Sequence, residues 1–127
     1  MPFDVEISKT EHIAYLTATG DIDLPSSLAV AADLVQHPRF HPSYGIIVDL
    51  HAARSLPLKE ELRGLAFTLG SFRDSLRGRL ALVINAKDLK PAALLSTFVS
   101  VFGLRMDAFS DHQLAAAYVS RGIGKNA

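Results

Sequence analysis

The chain has 127 residues, enough for one domain, residues 1–127, that buries about two thirds of its unfolded surface. Hydrophobic residues make up 49%, which excludes wholesale disorder. Thirteen basic residues balance thirteen acidic ones and cysteine is absent, which removes the electrostatic case for a nucleic-acid binder together with disulfides, thiol catalysis and Cys-ligated zinc.

The first residues, Met1 to Glu6, are acidic and lack the apolar stretch of a signal peptide. No apolar run approaches the roughly 18 residues of a membrane span. A soluble cytoplasmic protein with no membrane insertion is therefore expected. Zero net charge gives no repulsion against self-association, which leaves a homodimer open.

Asp4–Thr10 and Ile13–Gly20 read as a hairpin by alternation, with Lys9 to His12 as its turn and one member at a sheet edge. Thr19-Gly20-Asp21-Ile22-Asp23 closes the second strand. Pro25 fits the first turn of a helix carrying Leu28, Ala31 or Ala32, and Val35, and Pro38 ends it near His37. His37 and His41 lie four apart, but a proline follows each. They do not share a helix face, and no Asp, Glu or third His stands at ligand spacing, so the segment reads as a structural loop and no metal is assigned.

The central stretch is Tyr44–Leu50. Ile46, Ile47 and Val48 are consecutive and β-branched, which suits a strand covered on both faces. Asp49 falls at the carboxyl end of this strand, the edge where sites gather in open α/β sheets. A carboxylate there also accepts hydrogen bonds from backbone N–H groups of the next loop, read as Leu50–Leu56.

Pro57 opens the longest expected helix, to about Arg77. Leu58, Leu62, Leu65, Leu69, Phe72 and Leu76 form one apolar stripe, and Gly78 is the stop. Leu80–Ile84 is a second fully apolar strand. Asp88 is expected to cap the next helix, Pro91 sits in its first turn, and Gly103 ends it. Met106–Phe109 is a short last strand. Ser110 and Gln113 have capping-box spacing for a final helix that Gly122 ends, leaving Ile123–Ala127 as a tail. The order β-β-α-β-α-β-α-β-α implies an α/β fold: a mixed, mainly parallel sheet of about five strands with helices packed outside it.

Motifs for chemistry are sparse. There is no Gly-rich phosphate loop and no G-x-S-x-G elbow. Ser55 has His51 as its sole local base, which is weak support for a nucleophile, and no catalytic residue or cofactor is assigned. An apolar pocket between helix and sheet, lined by Phe67, Phe72, Phe98 and Phe102, is the alternative of a different class: a small-molecule or lipid binder. A phospho-acceptor receiver domain is similar in outline, since Asp49 ends a central strand. It lacks the acidic pair after the first strand and the lysine after the last.

Several short segments, taken in order, resemble the STAS superfamily and its stand-alone bacterial members akin to anti-sigma-factor antagonists. They are Thr19-Gly20-Asp21-Ile22, His37-Pro38-Arg39-Phe40, Ile46-Ile47-Val48-Asp49-Leu50, and Phe109-Ser110-Asp111 followed by Ala115 to Val119. The resemblance implies a non-catalytic signalling domain that binds a protein partner such as a kinase or regulator. Its implied surface is the loop after the central strand and the start of the next helix: Asp49, His51, Arg54, Ser55 and Lys59. Phospho-regulated members carry Asp-Ser-x-Gly at the helix start. This chain has Leu58-Lys59-Glu60-Glu61 there, and Ser55 is the nearest serine to take a phosphate.

Overall fold

Phe3–Ser8 (β1) and Ile13–Asp21 (β2) form the expected antiparallel hairpin in the computed structural model, which describes residues 2–124. His12 closes the turn at a φ of 61°. Gly45–Ser55 (β3), Arg79–Val83 (β4) and Arg105–Phe109 (β5) follow, each parallel to its predecessor, in the order β1-β2-β3-β4-β5. The helices are Leu24–Gln36 (α1), Leu62–Ser71 (α2), Leu89–Ser100 (α3) and His112–Gly124 (α4).

This order dictates the layers. Three successive right-handed crossovers that step in one direction across a sheet put their helices on one face. Val30 and Leu34 of α1, Leu65 and Leu69 of α2, and Leu95 and Val99 of α3 accordingly share a core with Leu16, Ile46, Leu80 and Leu82. The helix after β5 has no further strand to reach and covers the other face, where Ala115 and Val119 pack on Ile13, Ile47, Ala81 and Val83. Both faces are thus closed over β3, which is why its apolar residues run without alternation. β1 is an edge strand, as is β5 at the other end, and Val5 of β1 is 38% exposed.

Several expectations need correction. Leu50–Leu56 is not a loop, because β3 continues to Ser55. β2 extends past Gly20, and Ala52, Ala53 and Ser55 pair with Thr19, Gly20 and Asp21 across two register shifts. The helix from Pro57 to Arg77 is broken. Leu58 stays extended, a 3-10 turn covers Lys59–Glu61, α2 stops at Ser71, and a second 3-10 turn covers Arg73–Ser75. At the C-terminal break the Phe102 ring lies against Gly70, where an added Cβ would stand 2.5 Å from the ring, and the Phe72 N–H reaches back to Leu69 O. The stripe survives, with Leu62, Leu65, Leu69 and Leu76 buried, but Leu58 falls outside it at 65% exposure.

The caps differ too. Asp88 makes no side-chain cap bond to α3. Asp111, not Ser110, caps α4 by accepting the Leu114 N–H at 3.0 Å. Gly122 does not stop α4, which continues to Gly124. The rest of the expected tail, 125–127, lies outside the described residues.

Candidate functional site

The sheet's carboxyl edge gathers the polar side chains. β4 ends at Val83, opposite Asp49, so β3 runs on beyond it with one edge free of β4. Asn85 occupies part of that edge by donating its Nδ2–H to His51 O at 3.0 Å. Asp49 shares the face of Ile47, the face that α4 covers, and so points at the start of α4.

Asp49 accepts from two directions. The His51 N–H donates to Oδ1 at 2.9 Å, and His112 Nε2 lies 2.8 Å from Oδ2. The His51 ring turns back as well, with Nδ1 at 3.5 Å from Oδ1. Partial burial acts to raise the Asp49 pKa. The His51 N–H, the His112 hydrogen bond and the fields of both rings outweigh it, and the pKa lies below the usual carboxylate value.

A second cluster stands at the end of β2 and β3. Arg54 grips Asp21 through Nε at 3.1 Å and Nη2 at 3.3 Å, and the Ser55 hydroxyl donates to Asp21 Oδ1 at 3.0 Å. The Arg54 and Ser55 hydrogen bonds lower the Asp21 pKa. This pair is exposed, at 76% for Arg54 and 65% for Asp21, so it shapes the surface more than it stabilises the fold. Ser55 therefore engages a carboxylate, and no bond joins it to His51.

Lys59 lies a turn further on, beside a shallow groove between the starts of α2 and α3 that Pro57, Leu58, Pro91 and Leu94 also line. The five residues expected at the site thus fall into three neighbouring groups at one end of the fold: Asp49 with His51, Arg54 with Ser55, and Lys59 at the groove. Sequence reasoning missed His112 and the pairing of Asp21 with Arg54. The one available signal for His112 was parity: Asp49 shares a face with Ile47, and only a helix on that face could reach it.

The other histidines do local work. His37 and His41 each accept, through Nδ1, the N–H two residues on, at 3.1 Å in both turns.

Between the sheet and α1–α3 lies an apolar cavity of about 130 Å³, bounded by Leu16, Val30, Leu34, Val48, Leu95 and Met106 among others. Ser27 also lines it, but its hydroxyl is bonded to Asp23 O at 2.8 Å. The phenylalanines expected to line such a pocket do not. Phe67 and Phe102 instead make an edge-to-face pair at 6.1 Å, and Arg63 lies over Phe98.

No family model matches the sequence, and no curated protein matches it. Solved structures do match over nearly the whole chain. The uncharacterised DUF3478-family protein of Shewanella loihica PV-4, described as having a SpoIIAA-like fold, aligns with a TM-score of 0.61 at 13% identity. That alignment covers 92% of this chain and 91% of the other. The unphosphorylated anti-sigma factor antagonist SpoIIAA aligns with a TM-score of 0.55 at 16% identity, covering 95% and 99%. The fold is SpoIIAA-like. It is the STAS-like architecture that the order of segments implied, with β1 antiparallel to β2 and the remaining strands parallel. Among the described residues, no helix is long and apolar enough to cross a membrane.

Proposed function

We propose that this chain is a non-catalytic regulatory domain of the bacterial cytoplasm that binds a protein partner through the carboxyl edge of its sheet. The observation that carries the reading is the make-up of that edge. Leu58, 65% exposed, lines the groove beside Lys59, Asp88 and Lys90, and Leu89 stands 57% exposed at the start of α3. Exposed apolar anchors rimmed by polar and charged residues are the anatomy of a protein contact. The likeness to an anti-sigma factor antagonist supports the same reading by analogy of fold.

Asp49, His51, Arg54, Ser55 and Lys59 form the polar rim, and Ser55 is the residue a partner kinase would modify. Phosphorylation there would replace a hydroxyl that donates to Asp21 with a dianion that repels it, and would compete for Arg54. Affinity capture from the native host tests the surface. A partner held by the natural chain is expected to be lost from L58D and K59E variants that keep their fold. A partner retained equally by both variants would remove this surface from the proposal. A phosphate adduct on the intact protein, absent in S55A, would support the switch.

A second reading rests on the cavity. At about 130 Å³ it is near the engineered cavities of about 150 Å³ that take up benzene. It is well below the roughly 300 Å³ at which ordinary ligand pockets begin. Its reach is a ring-sized apolar molecule. Native mass spectrometry of the chain from its own host would reveal such a ligand as a stoichiometric adduct.

A further inference from the structure

The geometry points to a divalent transition-metal site formed by Asp49, His51 and His112. One ligand atom from each lies within 4.8 Å of the other two. The nearest approaches are 2.8 Å from His112 Nε2 to Asp49 Oδ2 and 3.5 Å from His51 Nδ1 to Asp49 Oδ1. A tetrahedral zinc ion bound at about 2.0–2.2 Å holds its ligand atoms about 3.3 Å apart. These two separations run to different carboxylate oxygens and the three ligand atoms lie within 4.8 Å of one another, so closure asks the side chains to rotate by up to about 1.5 Å to reach that spacing.

The donor set selects the ion. Two imidazoles and one carboxylate, without a thiolate, suit Zn²⁺, Ni²⁺, Co²⁺ or Cu²⁺. Calcium and magnesium favour all-oxygen shells. On binding, the ion replaces the hydrogen bond between His112 and Asp49, and the neutral His112 ring carries its proton on Nδ1 while Nε2 turns to the metal.

The supports are already in place. Asp49 belongs to a strand paired on both sides, and its Oδ1 is oriented by the His51 N–H at 2.9 Å. His51 is held through its carbonyl by Asn85, and His112 opens a helix that Ala115 and Val119 anchor to the sheet. Such outer contacts fix ligand orientation. The side chains are 23% exposed at Asp49, 39% at His51 and 53% at His112, so the ion would face solvent with at least one position open to water or to a group from another molecule. The site stands independently of the partner reading, although it lies within the same edge.

Zinc titration of the untagged, chelator-treated chain tests it, by competition with a chromogenic chelator and by imidazole NMR. One equivalent is expected to bind, with the His51 and His112 resonances moving and those of His12, His37 and His41 staying in place. H51A, H112A and D49N are each expected to weaken binding at least tenfold, while the H37A/H41A double variant binds like the natural chain. His51 and His112 are exposed, so their variants should fold, and circular dichroism checks this. The absence of binding up to millimolar zinc would overturn the site. So would binding that survives in H51A and H112A, or resonance shifts confined to His12, His37 and His41.

Discussion

Asp49→Ala is the substitution that best tests how the carboxyl edge is held together. The carboxylate accepts the His51 N–H at 2.9 Å and the His112 ring at 2.8 Å, and its side chain is only 23% exposed. A hydrogen bond to a charged group contributes about 1.5–3 kcal/mol, and partial exposure places both bonds toward the low end. Both bonds share one carboxylate, so their loss is not additive, and a total of about 2 kcal/mol follows. For a domain of this size that corresponds to a fall in Tm of about 8 °C. Asp49→Asn keeps an acceptor for the His51 N–H and should lose about half as much.

The pH dependence has a definite sign. The folded pKa of Asp49 is depressed below its unfolded value of about 3.9, so its contribution is full above that pH and fades as the pH falls through the folded value. Urea denaturation of the natural chain and D49A at pH 7 and pH 3 measures it. The gap of about 2 kcal/mol at pH 7 should narrow clearly at pH 3. A gap that is the same at both pH values, or below about 0.5 kcal/mol at pH 7, would refute the assignment of that energy to the ionised carboxylate.

Gly45→Ala places a Cβ 2.8 Å from Val119 Cβ, between β3 and α4. It should cost about 1–3 kcal/mol, recovered in part by adding Val119→Ala, as read by a double-mutant cycle in urea. Leu34→Ala removes a side chain that is 3% exposed and borders the existing cavity. Because that neighbour is already missing on one side, the loss should lie near the lower limit for such changes, about 3 kcal/mol, and the variant should gain more Tm from added benzene than the natural chain does. Arg54→Ala cuts an exposed ion pair and should shift Tm by under about 2 °C, while abolishing capture of a partner that uses this edge. A large loss of stability in R54A would show that the cluster holds the fold and not the surface.

The layers of this fold were legible because burial writes itself into residue type. Ile46 to Val48 and Leu80 to Ile84 are apolar on consecutive positions, and both strands are covered by helices on each side. The far half of β3 was not legible. His51 to Ser55 carry no β-branched residue, and they are held by backbone pairing to the extension of β2. Propensity cannot report a strand whose partner supplies its order. The broken helix was hidden for a related reason. An apolar spacing of three and four fits an α-helix and a 3-10 turn almost equally. The bonds that end α2 early lie beside a close contact with Phe102, a residue of a different element. His112 was the costliest omission, since its distance from Asp49 in sequence conceals a contact that depends on α4 crossing to the opposite face.

The corrected geometry also changes how a phosphate switch could work here. In the family resemblance, the phosphorylated serine sits at a helix start, where free backbone N–H groups welcome an anion. In this chain the corresponding turn carries its own carboxylate: Glu61 Oε1 accepts the Leu58 N–H at 2.9 Å, with Glu60 beside it. An added dianion at that turn would meet two acidic side chains and a backbone donor already engaged. Ser55 stands outside the turn, at the end of β3, where its neighbours are Asp21 and Arg54. A phosphate on Ser55 would therefore act by exchange, expelling Asp21 and taking Arg54, and its effect would be read at the β2–β3 end. Replacing Asp21 with Asn separates the two routes. D21N releases Arg54 as the exchange would, without the charge of the phosphate, so it should alter partner binding if the β2–β3 end is what the partner reads, and leave it unchanged if the helix start is.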